Sequence, residues 1–192
     1  MAASFDKPLQ ENAAGKPHRT ARMPQLILFA LDRDTAEHLA REPAACASQN
    51  ALTLAPHEES TVAMAAATAA MLVTHPASMP WGGYLALEGD SRRVVGFCGF
   101  KGGPDAAGAA ELAYFTFAGE EGRGIASAMA AGLMQLAMSA QAAAAVLRAH
   151  TLPERNASCR VLEKMGFMCI GPVIDPDDGP VWRWERSIRN DV

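Results

Sequence analysis

The stretch "EEGRGIAS" (Glu120–Ser127) places two glycines and an arginine directly before a long run of alanine, methionine and leucine. Apolar residues recur every three or four positions, at Ile125, Met129, Leu133, Leu136 and Ala140. This spacing is typical of one face of an α-helix. The first turn of a helix leaves backbone N–H groups without intrahelical partners, and glycine leaves the approach to them open. The stretch therefore predicts a helix whose N-terminus binds an anion such as phosphate.

Strand-type sequences flank this predicted helix on both sides. The run "AAELAYFTFAG" (residues 109–119) precedes it, and "AAVLRAHT" (residues 144–151) follows it. A strand, a helix and a second strand in this order form a crossover, which makes the two strands parallel neighbours in one sheet. The anion site is therefore predicted at the carboxyl end of the first strand.

The remaining patterns predict an α+β fold. Apolar runs of strand length occur at residues 25–31, twice within residues 82–100, and at residues 168–174 and 181–184. Further helices are predicted over residues 32–41, 57–76 and 157–166, with residues 43–56 as a connection. The predicted order is β-α-α-β-β-β-α-β-α-β-β. Because the strands within residues 82–117 form a meander, the sheet is mixed and mostly antiparallel, with about four helices around it.

The length and the first residues suggest one domain with a tail. A chain of 192 residues has the size of a single domain. Residues 1–22 mix Lys, Gln, Asn, Gly and Pro without apolar periodicity, a composition that does not offset the entropy cost of ordering. We therefore expect a disordered tail over residues 1–22 and a single domain over residues 23–192.

Charge and hydropathy argue against nucleic acid and membrane partners. The formal net charge is -4, so the chain lacks the basic excess that a phosphate backbone attracts. The longest apolar-leaning stretch, residues 62–73, falls short of the ~20 residues that span a bilayer. The first residues show no apolar block with a cleavage pattern. The sequence therefore predicts a cytoplasmic protein.

Metal-ligand spacing is absent from the sequence. The four cysteines lie far apart and form no C-x-x-C pair, at Cys46, Cys98, Cys159 and Cys169. The five histidines likewise show no ligand spacing. We expect reduced thiols and no metal.

Two segments resemble the GNAT superfamily of N-acetyltransferases. Residues 121–126, Glu-Gly-Arg-Gly-Ile-Ala, resemble its acyl-CoA-binding pattern, (Gln/Arg)-x-x-Gly-x-(Gly/Ala), at the junction of strand and helix. The segment "NASCRVLEKMGF" (residues 156–167) resembles the helix and exit turn of the branch that acetylates ribosomal-protein N-termini and small amines. The resemblance covers about residues 25–187. It implies a GNAT-like sheet whose central parallel pair splays around acyl-CoA.

The resemblance also implies a coenzyme site. The backbone amides of residues 122–126 would bind the pyrophosphate, with charge added by Arg123. The strand of residues 112–117 would bind the pantetheine arm, with Tyr114 or Phe115 donating a backbone N–H to the thioester carbonyl. The candidate coenzyme contacts are Tyr114, Phe115, Phe117, Glu121, Gly122, Arg123, Gly124, Ile125, Ala126, Ser127, Asn156, Ser158 and Arg160.

An acceptor amine must lose a proton to attack the thioester, so a base is needed. Glu111 lies where several family members carry such a glutamate, and His150, at the end of the next parallel strand, is the second candidate. Either residue also fits a plain structural role, as a solvent-facing charge or a hydrogen-bonded histidine.

Three departures from the family pattern bear on function. Glu121 replaces the usual Gln or Arg, which brings a negative side chain near phosphates unless it turns away. Leu162 stands where many members have a tyrosine that protonates the CoA thiolate. Arg155 occupies a position that is often asparagine, with Asn156 one place later, so either residue or neither contacts CoA.

Two functions are therefore open. The first is an acetyl-CoA-dependent N-acetyltransferase that acts on a small amine or a protein N-terminus in a ternary complex. The second is a non-catalytic acyl-CoA-binding sensor or interaction module, suggested by Leu162 and Glu121. Homodimers are common for folds of this kind, and the sequence leaves the oligomeric state open.

Overall fold

The computed structural model describes residues 23–74, 76, 79–140, 144–176 and 178–188. The predicted tail, residues 1–22, lies outside the described residues. The strands are β1 (Leu26–Leu31), β2 (Gly83–Glu88), β3 (Arg93–Phe100), β4 (Ala109–Thr116), β5 (Val146–Thr151), β6 (Met168–Asp175) and β7 (Gly179–Ser187). The helices are α1 (Arg33–Arg41), α2 (Pro43–Gln49), α3 (Glu58–Thr74), α4 (Ile125–Ser139) and α5 (Ala157–Lys164). None of these helices is long and apolar enough to cross a membrane.

The strands form one seven-stranded sheet in the order β1-β2-β3-β4-β5-β7-β6. Every neighbouring pair is antiparallel except β4 and β5, which are parallel as the crossover predicts. These two strands pair only over Ala109–Glu111 and Val146–Arg148, although both continue for several residues. The sheet therefore opens at its centre beyond Glu111, as the predicted splay requires.

Helices cover the two faces of the sheet with separate hydrophobic cores. The core under α4 and α5 includes Met129, Leu133 and Leu162, each at most 1% exposed. The core under α1, α2 and α3 includes Leu39 and Phe117, which are fully buried. The helical face predicted from Ile125 is the buried face of α4. Each face of the sheet is thus covered by its own set of helices.

The structure corrects one part of the predicted organisation. The segment predicted as a connection, residues 43–56, contains the helix α2, so there are five helices among the described residues rather than about four. Pro43 starts this helix, where its missing N–H costs no hydrogen bond. Cys46 and Ala47 are its buried residues. Seven residues are too few to show the apolar periodicity from which the other helices are predicted.

Candidate active site

The loop between β4 and α4 turns through glycines in the left-handed region. The φ angles are +84° at Gly119, +74° at Gly122 and +81° at Gly124, and Gly124 is the N-cap of α4. Within the described residues, no protein group accepts a hydrogen bond from the backbone N–H groups of residues 122–127. These amides, at the positive end of the α4 dipole, are therefore available to an anion.

A cavity of about 420 Å³ lies between β4, this loop and α5, and we call it cavity A. Its lining is Tyr114, Phe115, Thr116, Glu120, Glu121, Gly122, Gly124, Ile125, Ala126, Ser127, Ala157, Ser158, Arg160, Val161 and Lys164. All candidate coenzyme contacts line it except Phe117, Arg123 and Asn156. The structure thus brings residues from three separate segments of sequence around one space.

Two cations of α5 face cavity A. Arg160 and Lys164 both line it, and residues four apart share a face of a helix. Arg160 is among the predicted contacts, whereas the sequence analysis missed Lys164. The i, i+4 spacing of the two cations is the signal that would have found it.

The candidates outside cavity A have other partners. Phe117 is fully buried, and its ring lies 5.3 Å from that of His57. Asn156 is the N-cap of α5, and its side-chain oxygen accepts a hydrogen bond from the Cys159 backbone N–H at 3.0 Å. Arg123 donates hydrogen bonds to Glu120 and Glu88. Glu121, two residues before Arg123, lines the cavity. Its carboxylate accepts a hydrogen bond from the Gly119 backbone N–H at 2.7 Å.

The side chain of Glu120 holds the start of the glycine-rich loop in place. Its side chain is only 8% exposed and lies against Arg93, Arg123 and His57, whose Nε2 is 3.0 Å from the carboxylate. The hydrogen bond from Arg93, supported by those from His57 and Arg123, lowers the pKa of Glu120 from its ordinary 4.5 to about 2. Arg93 also donates to Glu88 at 2.6 Å. This ion-pair network, which the sequence analysis missed, fixes the residue that begins the anion-binding loop.

A smaller cavity of about 150 Å³, cavity B, lies beside the ends of β4 and β5. It is lined by Lys101, Glu111, Leu112, Ala113, Tyr114, Ala149, His150, Ser158 and Asp178. Glu111 Oε1 lies 2.8 Å from Lys101 Nζ and 3.2 Å from His150 Nδ1. His150 Nδ1 also lies 3.5 Å from Asp175 Oδ2. The two candidate bases, separate in sequence, therefore form one hydrogen-bonded pair.

Lys101 keeps its positive charge in this cluster. Burial opposes the charge, but the hydrogen bond to Glu111 and the nearby carboxylates of Asp178 and Asp175 raise the pKa of Lys101 overall. Every described contact of Glu111 is made through Oε1, which leaves Oε2 open to a donor. Glu111 can thus accept a proton at Oε2 while Oε1 is held in place.

Tyr114 and Ser158 line both cavities. Tyr114 comes from β4 beyond the last residue that pairs with β5, and its phenol donates to the Ser158 backbone carbonyl at 3.4 Å. Burial raises the pKa of Tyr114 well above its ordinary value of 10. Cavities A and B are therefore neighbours that share Tyr114 and Ser158 as a common boundary.

A family model of the acetyltransferase (GNAT) domain matches residues 25–168, three quarters of the chain. The chain belongs to the GNAT acetyltransferase family. This membership agrees with the resemblance found in the glycine-rich loop and in α5. Comparison with curated protein sequences gives no match.

Solved acetyltransferases share the GNAT fold with this chain. The RimL ribosomal L7/L12 α-N-protein acetyltransferase in complex with coenzyme A is 16% identical, with a TM-score of 0.59 over 88% of this chain and 96% of that one. A spermidine N-acetyltransferase chimera, SpeG from Vibrio cholerae with hSSAT, is 15% identical, with a TM-score of 0.59 over 85% and 95%. The aminoglycoside acetyltransferase AAC(6')-Ib in complex with coenzyme A is 16% identical, with a TM-score of 0.55 over 85% and 95%. At these identities the likeness establishes the fold.

Proposed function

We propose that this GNAT protein transfers an acetyl group from acetyl-CoA to a primary amine by direct attack in a ternary complex. One observation carries the proposal: cavity A and cavity B share Tyr114 and Ser158 as a common boundary. Cavity A has backbone amides without partners among the described residues, and cavity B has the carboxylate–histidine pair. An acyl donor in cavity A and an amine in cavity B would react at that junction. The family match and the coenzyme A complexes of the solved relatives support the choice of donor.

The chemistry of cavity A fits a diphosphate. The amides of residues 122–127 offer donors without protein partners, and Arg160 and Lys164 add positive charge from α5. Arg123 is neutralised by Glu88 and Glu120, so its expected contribution is its backbone N–H. The Glu121 carboxylate accepts a hydrogen bond from the Gly119 amide, so it should repel a bound diphosphate less than the sequence suggests.

Strand alternation selects a backbone donor for the thioester carbonyl. The Glu111 carbonyl accepts from Lys101, and the Phe117 N–H donates to Val95, so odd-numbered residues of β4 bond toward β3. Successive backbone groups of a strand point to opposite sides. The N–H of Tyr114 therefore faces the splay and is the oxyanion donor we favour over that of Phe115. A comparable donor contributes about 10²–10³ in rate in other enzymes.

The acceptor amine reaches the thioester as a neutral nucleophile. Glu111 Oε2 takes its proton, directly or through water, while Lys101 and His150 hold Oε1. The described carboxylates around cavity B suit a cationic amine on arrival. Turnover with small amines and with N-terminal peptides distinguishes a small-molecule acceptor from a protein N-terminus.

Two measurements on the full chain test the proposal. Calorimetry with CoA and acetyl-CoA should give binding in the micromolar range, on the order of −8 kcal/mol. Release of free thiol from acetyl-CoA should then accelerate with at least one amine in a panel of polyamines, amino acids, aminoglycosides and N-terminal peptides. Absence of binding up to millimolar coenzyme would overturn the proposal. Binding without turnover on any amine would favour the non-catalytic sensor instead.

A pair of glycine variants tests the anion loop. Gly122 and Gly119 both have positive φ, and a Cβ added at either would meet no atom within 4 Å. Alanine at either site should therefore cost similar stability, about 1 kcal/mol of left-handed strain. Only Gly122 lines cavity A, so Gly122→Ala should weaken CoA binding about tenfold, while Gly119→Ala should leave it near wild type. Equal loss of affinity in both variants, measured by calorimetry, would place the diphosphate elsewhere.

A further inference from the structure

The proposed reaction expels a thiolate, and the residue that many GNAT enzymes use to protonate it is absent. Position 162 carries leucine, which has no proton to donate. Leu162 is 1% exposed and packs in the core under α4 and α5. Water therefore cannot take the place of the missing side chain at that position. The thiolate needs another partner.

The junction of the two cavities limits where the sulfur can lie. An amine from cavity B attacks the acyl carbon while the coenzyme fills cavity A, so the acyl carbon and its sulfur neighbour must lie where the cavities meet. The residues that line both cavities are Tyr114 and Ser158. Each carries a hydroxyl, but the phenol of Tyr114 crosses the splay from β4 to α5.

The phenol hydrogen is available for a new acceptor. Its acceptor in this structure, the Ser158 carbonyl, lies at 3.4 Å, which is long for a hydrogen bond between oxygens. An anionic sulfur is a stronger acceptor than a distant neutral carbonyl. We propose, on the basis of the function above, that Tyr114 donates this hydrogen bond to the CoA sulfur as the thiolate departs.

This interaction differs from general acid catalysis. A thiol has a pKa of about 8.5, and burial raises the pKa of Tyr114 above 10, so full proton transfer from the phenol to the thiolate is uphill. As the C–S bond breaks, its electron pair moves to sulfur and Tyr114 keeps its proton. The ammonium loses one proton to Glu111 before attack, and the nitrogen loses a second proton through the same carboxylate to solvent as the amide forms. Solvent supplies the proton that completes the free thiol, so one net proton is released. Tyr114 thus lowers the barrier by stabilising the negative charge on sulfur.

The binding test compares CoA with desulfo-CoA, which lacks the thiol. A hydrogen-bond donor at the sulfur stabilises the bound thiolate, which forms as the pH rises. The ratio of the CoA affinity to the desulfo-CoA affinity, measured by calorimetry from pH 6.5 to about 9.5, should therefore increase with pH. It should approach about tenfold in favour of CoA. In Tyr114→Phe the ratio should stay flat with pH. A flat ratio in the wild-type protein, where both ligands bind, overturns the role of Tyr114 without touching the proposed function. Failure of both ligands to bind removes the proposed function and this inference together.

The kinetic test separates Tyr114 from a structural role. Tyr114→Phe keeps the ring and should lower kcat by about 10- to 100-fold, with the KM for acetyl-CoA within about twofold of wild type. The matched control Tyr84→Phe removes a phenol that lines neither cavity and donates to the Pro80 backbone carbonyl at 2.8 Å, and should change kcat less than about threefold. A loss in Ser158→Ala with wild-type kcat in Tyr114→Phe would assign the donor to Ser158 and overturn the proposal. Far-UV circular dichroism and the desulfo-CoA affinity verify that each variant is folded.

Discussion

Replacement of Glu111 by glutamine is expected to lower kcat for amine acetylation by about 10²–10³-fold and to leave the CoA dissociation constant unchanged. Glutamine has the size of glutamate and can still accept a hydrogen bond from Lys101 or His150. It cannot take a proton from an ammonium group at neutral pH. Glu111 lines cavity B and lies outside the lining of cavity A, so coenzyme affinity measures folding and kcat measures the base.

A second carboxylate on the same face of the sheet provides the control. Glu185 of β7 pairs with Arg148 at 3.0 Å, and β5 residue Arg148 is the sheet partner of Glu111. Glu185 lines neither cavity, so Glu185→Gln should retain wild-type kcat. Wild-type turnover by Glu111→Gln across the pH range would remove Glu111 from the mechanism.

His150 requires its own variant because it is the other candidate base. Its Nδ1 faces Glu111 and Asp175, and its Nε2 is buried with no hydrogen-bond partner among the described residues. Solvent therefore reaches Glu111 Oε2 more easily than His150 Nε2. We expect His150→Gln to lower kcat by about tenfold through loss of positioning, much less than Glu111→Gln. The reverse order, measured on the same amine, would make His150 the base.

Local signals were sufficient to predict the centre of the fold. The spacing of Met129 and Leu133 gave α4 its buried face, and the crossover rule made β4 and β5 parallel. These predictions depend on residues close in sequence or on the general rule that a strand–helix–strand crossover joins parallel strands. The helix α2 was missed because seven residues starting at Pro43 carry too little periodicity to be distinguished from a loop.

The candidate site was only partly predictable because its parts converge through the sheet. Glu111 and His150 are 39 positions apart, and only the register of β4 with β5 shows that they form one pair. From the sequence, Glu120 is only the first residue of the loop motif. Its partner His57 directly precedes α3, and its partner Arg93 is the first residue of β3. Pairing across long sequence separations leaves no periodic signal in a single sequence.

The buried carboxylate of Glu120 leads to the largest expected effect on stability. Glu120→Gln keeps the shape but leaves Glu88 as the one described carboxylate that pairs with Arg93 and Arg123. Loss of one partner from a buried ion pair costs about 3–5 kcal/mol, and the partial exposure of the two arginines reduces this to roughly 2–4 kcal/mol. Urea unfolding should show this loss at pH 7. Glu37→Gln, which breaks the exposed pair with Arg33, should leave the free energy of unfolding close to that of wild type.

The same carboxylate makes the stability difference depend on pH in a defined direction. The pKa of Glu120 is about 2 in the folded protein, below its ordinary 4.5, because Arg93, His57 and Arg123 stabilise the charged form. The folded state therefore binds fewer protons than the unfolded state between these values, and the contribution of Glu120 is complete above about pH 4.5. As the pH falls from 4.5 toward 2, wild type should lose stability more steeply than Glu120→Gln, and the two unfolding curves should converge. A constant difference between them from pH 7 down to pH 3 would contradict the network.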